Sequence, residues 1–113
     1  PLTQQIMPES TMFLGEVPLT PYGLPSTTEL CDAIIPALER HDAVLLENHG
    51  ALSYGHDLQS AYFKMEALDY YAKAVYLAAG YGGAKEFNQD QIEKLLDVRR
   101  TKFAQPGRHP FID

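Results

Sequence analysis

The sequence predicts an α/β domain, and three stretches carry that prediction. A capped amphipathic helix leads into a short apolar strand, a second strand follows a polar turn, and a long helix comes after it. Residues 1–25 come first and hold five of the eight prolines, with no sustained helical period. Met12-Phe13-Leu14 and Val17-Pro18-Leu19 read there as short strands, confined by the prolines to edges or strand ends. A segment this poor in its own structure reads as lying across another part of the protein, but for residues 1–9 the bland reading, a connecting arm, is preferred.

Ser26-Thr27-Thr28-Glu29 has the form of a capping box, in which Ser26 caps the helix and Glu29 reaches back. The predicted helix runs to about Arg40, with Leu30, Ile34 and Leu38 on one face and Cys31 and Ile35 beside them. Pro36 inside it predicts a kink and not a break. Ala43–Leu46 is an apolar run that reads as a buried strand, ending in Glu47-Asn48-His49-Gly50. Residues 51–54 read as a second short strand, closed by Gly55.

His49 is the candidate functional residue. A glycine beside it lets the backbone turn and leaves room around the imidazole. On chemistry alone it is a ligand or an acid/base group, although a lone histidine at a strand end is more often structural. Glu47 and Asn48 flank it and are candidates for orienting its ring, but strand alternation points one of them away.

Asp57 opens the longest element. Leu58, Ala61, Met65, Leu68, Ala72, Val75 and Ala79 repeat at steps of three and four, and Gly80 ends the series. Three of these seven positions are alanine, which suits close packing on a sheet or neighbouring helix better than a coiled coil. Tyr62, Tyr70, Tyr71 and Tyr76 fall off that stripe, either as a second contact surface or as core. Gly80-Tyr81-Gly82-Gly83 then reads as a flexible connector, having neither a preceding strand nor a phosphate-loop lysine. Asn88 and Gln91 suggest a second capping box, opening a helix from about Gln89 to Phe103 with Ile92, Leu95 and Leu96 on its buried side. Residues 105–110 read as an irregular tail. The bland readings are preferred for His41 (at a helix C-terminus), His56 (beside a helix N-cap), His109 (tail) and Glu66 (a solvated or interface charge).

At 113 residues the chain makes one domain at most, with an ordinary globular composition of 45% hydrophobic and 21% charged residues. A net charge of −6 argues against nucleic acid or an anionic membrane as partner, since both demand clustered cations. The single cysteine, Cys31, excludes an internal disulfide and fits a reducing, cytoplasmic setting. No apolar run is long enough to span a membrane as a helix. The chain begins at Pro1 and not at Met, which points to processing or a fragment.

Three stretches together resemble a known family. Pro21-Tyr22-Gly23-Leu24-Pro25-Ser26-Thr27-Thr28-Glu29-Leu30, then Ala43-Val44-Leu45-Leu46-Glu47-Asn48-His49-Gly50-Ala51, then Gly55 leading to Ala61 and Glu66, are similar to the C-terminal half of the class II aldolase/adducin family. That family includes the fuculose-phosphate and rhamnulose-phosphate aldolases and ribulose-phosphate 4-epimerase. The resemblance covers residues 12 to 100 and implies a three-layer α/β/α fold with a mostly antiparallel sheet. Residues 1–113 would then be the C-terminal part of one such domain, with an arm and short strands over 1–25 and helix–strand–strand–helix–helix over 26–113.

The resemblance also implies a function. The histidine of the family's His-Gly motif is one of three that hold a divalent metal, usually zinc, and it matches His49. The other two ligands, in a His-x-His motif, and the general base belong to the N-terminal half and lie outside this chain. The implied activity is cleavage of a ketose phosphate, fuculose-phosphate-like, to dihydroxyacetone phosphate and an aldehyde, in a cytoplasmic homotetramer with sites at subunit borders. The metal would stabilise the enediolate left by carbon–carbon cleavage. The fragment alone would be inactive. Alternatives are a sugar-phosphate epimerase or decarboxylase of the same family, or a non-catalytic adducin-like interaction module. The epimerase branch usually has Pro-Phe after His-Gly, and Ala51-Leu52 leans towards aldolase.

Overall fold

A computed structural model of the chain describes residues 1–104 and 106–112. In chain order its elements are α1 (Pro8–Phe13), β1 (Leu19–Thr20), α2 (Thr28–Leu38), β2 (Ala43–Leu46), β3 (Gly50–Ser53), α3 (Leu58–Gly80) and α4 (Gln89–Val98), which continues into a π-helical turn at Arg99–Phe103. The three strands form one sheet in the order β1-β2-β3, with β1 parallel and β3 antiparallel to β2.

The expected α/β order holds, with local corrections. Met12 and Phe13 are helical, because Pro8 at the first helical position is already fixed for that backbone. The N-cap of α2 is Thr27 and not Ser26: the Thr27 side chain accepts from the Glu29 N–H. Ser26 instead takes a left-handed φ of 65°, and the Glu29 carboxylate accepts from Leu24 N. The helix passes through Pro36 unbroken and ends at Leu38, two residues earlier than expected. The second capping box, Asn88 with Gln91, forms as the sequence suggests.

Alternation along β2 sets the layers. Ala43 and Leu45 join the cluster of Leu14, Val17, Leu68 and Tyr71, so that face looks onto α3. Val44 and Leu46 are buried on the other face, and α2 packs against β2. On α3, Leu68 is buried as expected, but Leu58 is 87% exposed. Of the two readings open for the off-stripe tyrosines, Tyr71 takes the core one and is fully buried. Its hydroxyl donates to Gln4 O at 2.6 Å, which gives the phenol the partner its burial requires. Burial, helped by the Glu16 and Glu86 carboxylates, pushes the Tyr71 pKa up to about 12. Tyr62, Tyr70 and Tyr76 stay exposed.

Residues 1–9 are not a bare connecting arm, and lie across the rest of the chain with α1 already begun at Pro8. Leu2 pairs with Val17 in an antiparallel bridge, and Gln5 O accepts from Phe87 N. The segment is therefore integrated into the fold, and Gln5 is buried.

Candidate functional site

His49 closes the turn of the β2–β3 hairpin, where Leu46 pairs with Gly50 and Glu47, Asn48 and His49 form the connection. The chain reverses through Asn48, whose φ of 54° lies in the left-handed region that asparagine tolerates better than most residues. His49 N donates to Leu46 O at 3.1 Å, fixing its backbone, and its side chain is exposed. A Cβ added at Gly50 would meet nothing within 4 Å, so the space expected beside the imidazole exists. Glu47 turns away to serve the scaffold. Its Oε2 accepts from Tyr22 N at 2.9 Å and its own N–H donates to Thr20 O at 3.3 Å, tying the turn to the end of β1.

Zinc in a catalytic site is usually held by three protein ligands with one position left open. Among the described residues no group of three His, Cys, Asp or Glu side chains could hold a metal. The residues present therefore do not make a metal site on their own, and His49 can serve as one ligand of a set completed from outside this chain. The other histidines have separate positions. His41 Nδ1 lies 2.9 Å from Ala37 O at the end of α2, as expected of a helix C-terminal histidine. His56 is exposed, 3.3 Å from Asp57, the N-cap of α3.

His109 is not a loose tail residue. It is 3% exposed, with Nε2 2.8 Å from Thr11 O and Nδ1 accepting from Phe111 N. An acceptor role at Nδ1 leaves the proton on Nε2, so the ring is neutral and donates to Thr11. Burial pushes its pKa down to about 4; the bond to Thr11 opposes this, and the Arg99 charge adds to it. Unfolded, a histidine takes up a proton near 6.5. The stability held by His109 is therefore complete above that pH and is lost as the pH falls through 4. Urea unfolding should lose up to about 3 kcal/mol from this group between pH 7 and 4. The pH slope should flatten in His109→Gln, and an unchanged slope would contradict the assignment.

The tail that carries His109 covers a buried ion pair the sequence reading did not single out. Lys64 Nζ donates to Asp42 Oδ2 at 2.6 Å and to Tyr54 O at 3.1 Å. Arg108 N donates to the same Asp42 oxygen at 3.0 Å. Gly107 sits at φ 112°, and a Cβ there would collide with Asp42 Oδ2, so glycine is required for the tail to close on the pair. Arg99 is 5% exposed and donates to Met12 O at 3.2 Å. Burial pulls its pKa down, with Asp42 opposing.

Comparison with known proteins matches this frame. Residues 1–76 match the family described as Class II Aldolase and Adducin N-terminal domain. A rhamnulose-1-phosphate aldolase of Bacteroides thetaiotaomicron is 30% identical over 97 residues, covering 83% of this chain and 36% of the aldolase. A 3-oxo-tetronate 4-phosphate decarboxylase of Pectobacterium atrosepticum is 34% identical over 70 residues, covering 62% of this chain and 32% of the decarboxylase. The chain thus spans about a third of the length of these curated relatives. Among solved structures, YgbL of Escherichia coli superposes with a TM-score of 0.74 at 29% identity, over 82% of this chain and 44% of its own. An L-fuculose 1-phosphate aldolase does so at 0.72 and 28%, over 80% and 43%. The fold is class II aldolase-like, and the chain belongs to the class II aldolase and adducin family.

Proposed function

We propose that this chain is the His-Gly-bearing, C-terminal part of a metal-dependent carbon–carbon lyase that cleaves a ketose phosphate to dihydroxyacetone phosphate and an aldehyde. The observation that carries the reading is the exposed imidazole of His49, on a turn tied to the neighbouring strand by Glu47. That arrangement presents an imidazole ligand on a hairpin turn, as a metal site needs. A divalent metal, zinc in the first instance, would polarise the substrate carbonyl and stabilise the enediolate. This chain's own part is to hold His49, with two further ligands and the general base supplied from outside it. The reading has the protein acting in the cytoplasm as a homotetramer; the exposed Tyr62, Tyr70 and Tyr76 on α3 are suited to such subunit contacts.

Decarboxylation is the second reading, favoured by the 3-oxo-tetronate 4-phosphate decarboxylase relative. Product analysis on the full-length encoded protein separates the two. Incubation with fuculose 1-phosphate and rhamnulose 1-phosphate should yield dihydroxyacetone phosphate, while carbon dioxide from a 3-oxo sugar acid phosphate would replace this reading with the second. An encoded sequence with no His-x-His beyond this chain would overturn both.

A further inference from the structure

All four arginines of the chain, Arg40, Arg99, Arg100 and Arg108, line one cleft of about 540 Å³. They come from three separate segments: the end of α2, the π-helical turn and the tail. Glu39 is the one carboxylate among the described residues of the lining. Asp42 lies below, with a side chain 4% exposed, and answers both Lys64 and Arg108. Such a gathering of guanidinium groups in a chain of net charge −6 makes a local positive field in an otherwise acidic protein.

The cations are held in place by the fold. Arg40 Nη2 donates to Pro110 O at 2.7 Å, and Arg99 donates to Gly107 O at 3.4 Å as well as to Met12 O. The Arg108 guanidinium lies 5.1 Å from the Tyr54 ring centroid, a stacking contact that orients it, and its side chain is 48% exposed. Arg100 stands at the rim with its side chain 61% exposed, 3.2 Å from an equally accessible Asp97. A guanidinium offers five N–H donors in a planar fork, matched to the oxygens of a phosphate. The volume falls within the range of small-ligand sites, roughly 300 to 1000 Å³.

We propose that this cleft is a binding site for a phosphate-bearing small molecule, with Arg100 and Arg108 making the accessible contacts. It lies at the entry to β2, whereas His49 follows the exit, so the length of the strand, about 10 Å, separates the two. The site is thus distinct from the candidate metal ligand and would serve binding or control, not bond cleavage.

Calorimetric titration of the purified full-length protein with pyrophosphate at low salt tests it. Saturable binding is expected, weakened on the order of tenfold by Arg100→Gln and by Arg108→Gln singly, and lost in the double variant. Lys73→Gln removes the same charge from an exposed pair on α3 and should leave affinity unchanged. The exposed position of Arg100 lets that variant fold normally, which circular dichroism would verify. No saturable binding, or a loss in Lys73→Gln equal to that in Arg100→Gln, would overturn the proposal.

Discussion

Replacing Asp42 by asparagine is expected to destabilise the fold by about 3 to 5 kcal/mol, the range for breaking one side of a buried ion pair. Asp42 and Lys64 side chains are 4% and 11% exposed, so water compensates little for a missing charge. Asparagine keeps an acceptor but leaves the Lys64 ammonium without its counter-charge. The Arg108 backbone N–H bonds the same oxygen, so the tail is expected to loosen with it. Removing both charges in Asp42→Asn/Lys64→Met should recover at least half of the loss, because the remaining site no longer holds an unpaired cation. Urea denaturation measures both quantities. A loss below about 1 kcal/mol in the single variant, on the scale of a surface pair, would show that the interaction is solvated.

His49→Ala is expected to have the largest effect on chemistry and little on stability. An exposed turn side chain contributes little to folding, and the backbone bonds of the turn do not involve its ring. A bound metal contributes several kcal/mol to stabilising the transition state. Loss of one ligand should therefore lower kcat/KM on the order of 1000-fold in the full-length protein. A structural role for His49 would give the opposite pattern, a lower melting temperature with activity retained.

Much of the fold was legible because local patterns and final structure agree. The apolar run at Ala43–Leu46, the three-and-four spacing through Leu68, and the Asn88–Gln91 box each describe interactions between near neighbours. The Ser26 assignment failed within the same motif, because three adjacent hydroxyl residues offer competing caps and backbone geometry chose Thr27. Tyr71 was left open between core and contact surface, Lys64 was missed and His109 misread, for a different reason. Their buried polar atoms are satisfied by Gln4, Asp42 and Thr11, which lie 67, 22 and 98 positions away. A polar letter on a helix reads as surface until its distant partner is known. Pro8 at the start of α1 was the signal that could have identified that helix.

The candidate site was legible only as a motif. Asn48-His49-Gly50 marks a turn that exposes an imidazole, and the backbone supports that reading at each position. The arginine cleft had no sequence signature, since its members become neighbours only when α2, the π-helical turn and the tail converge.

The most direct test of the central claim is the zinc content of the full-length encoded protein as purified, for wild type and His49→Ala. The account predicts close to one zinc per subunit in wild type and loss of that metal in a variant of unchanged fold. Wild-type protein without metal, or His49→Ala that retains it in full, would contradict the assignment of His49 as a ligand.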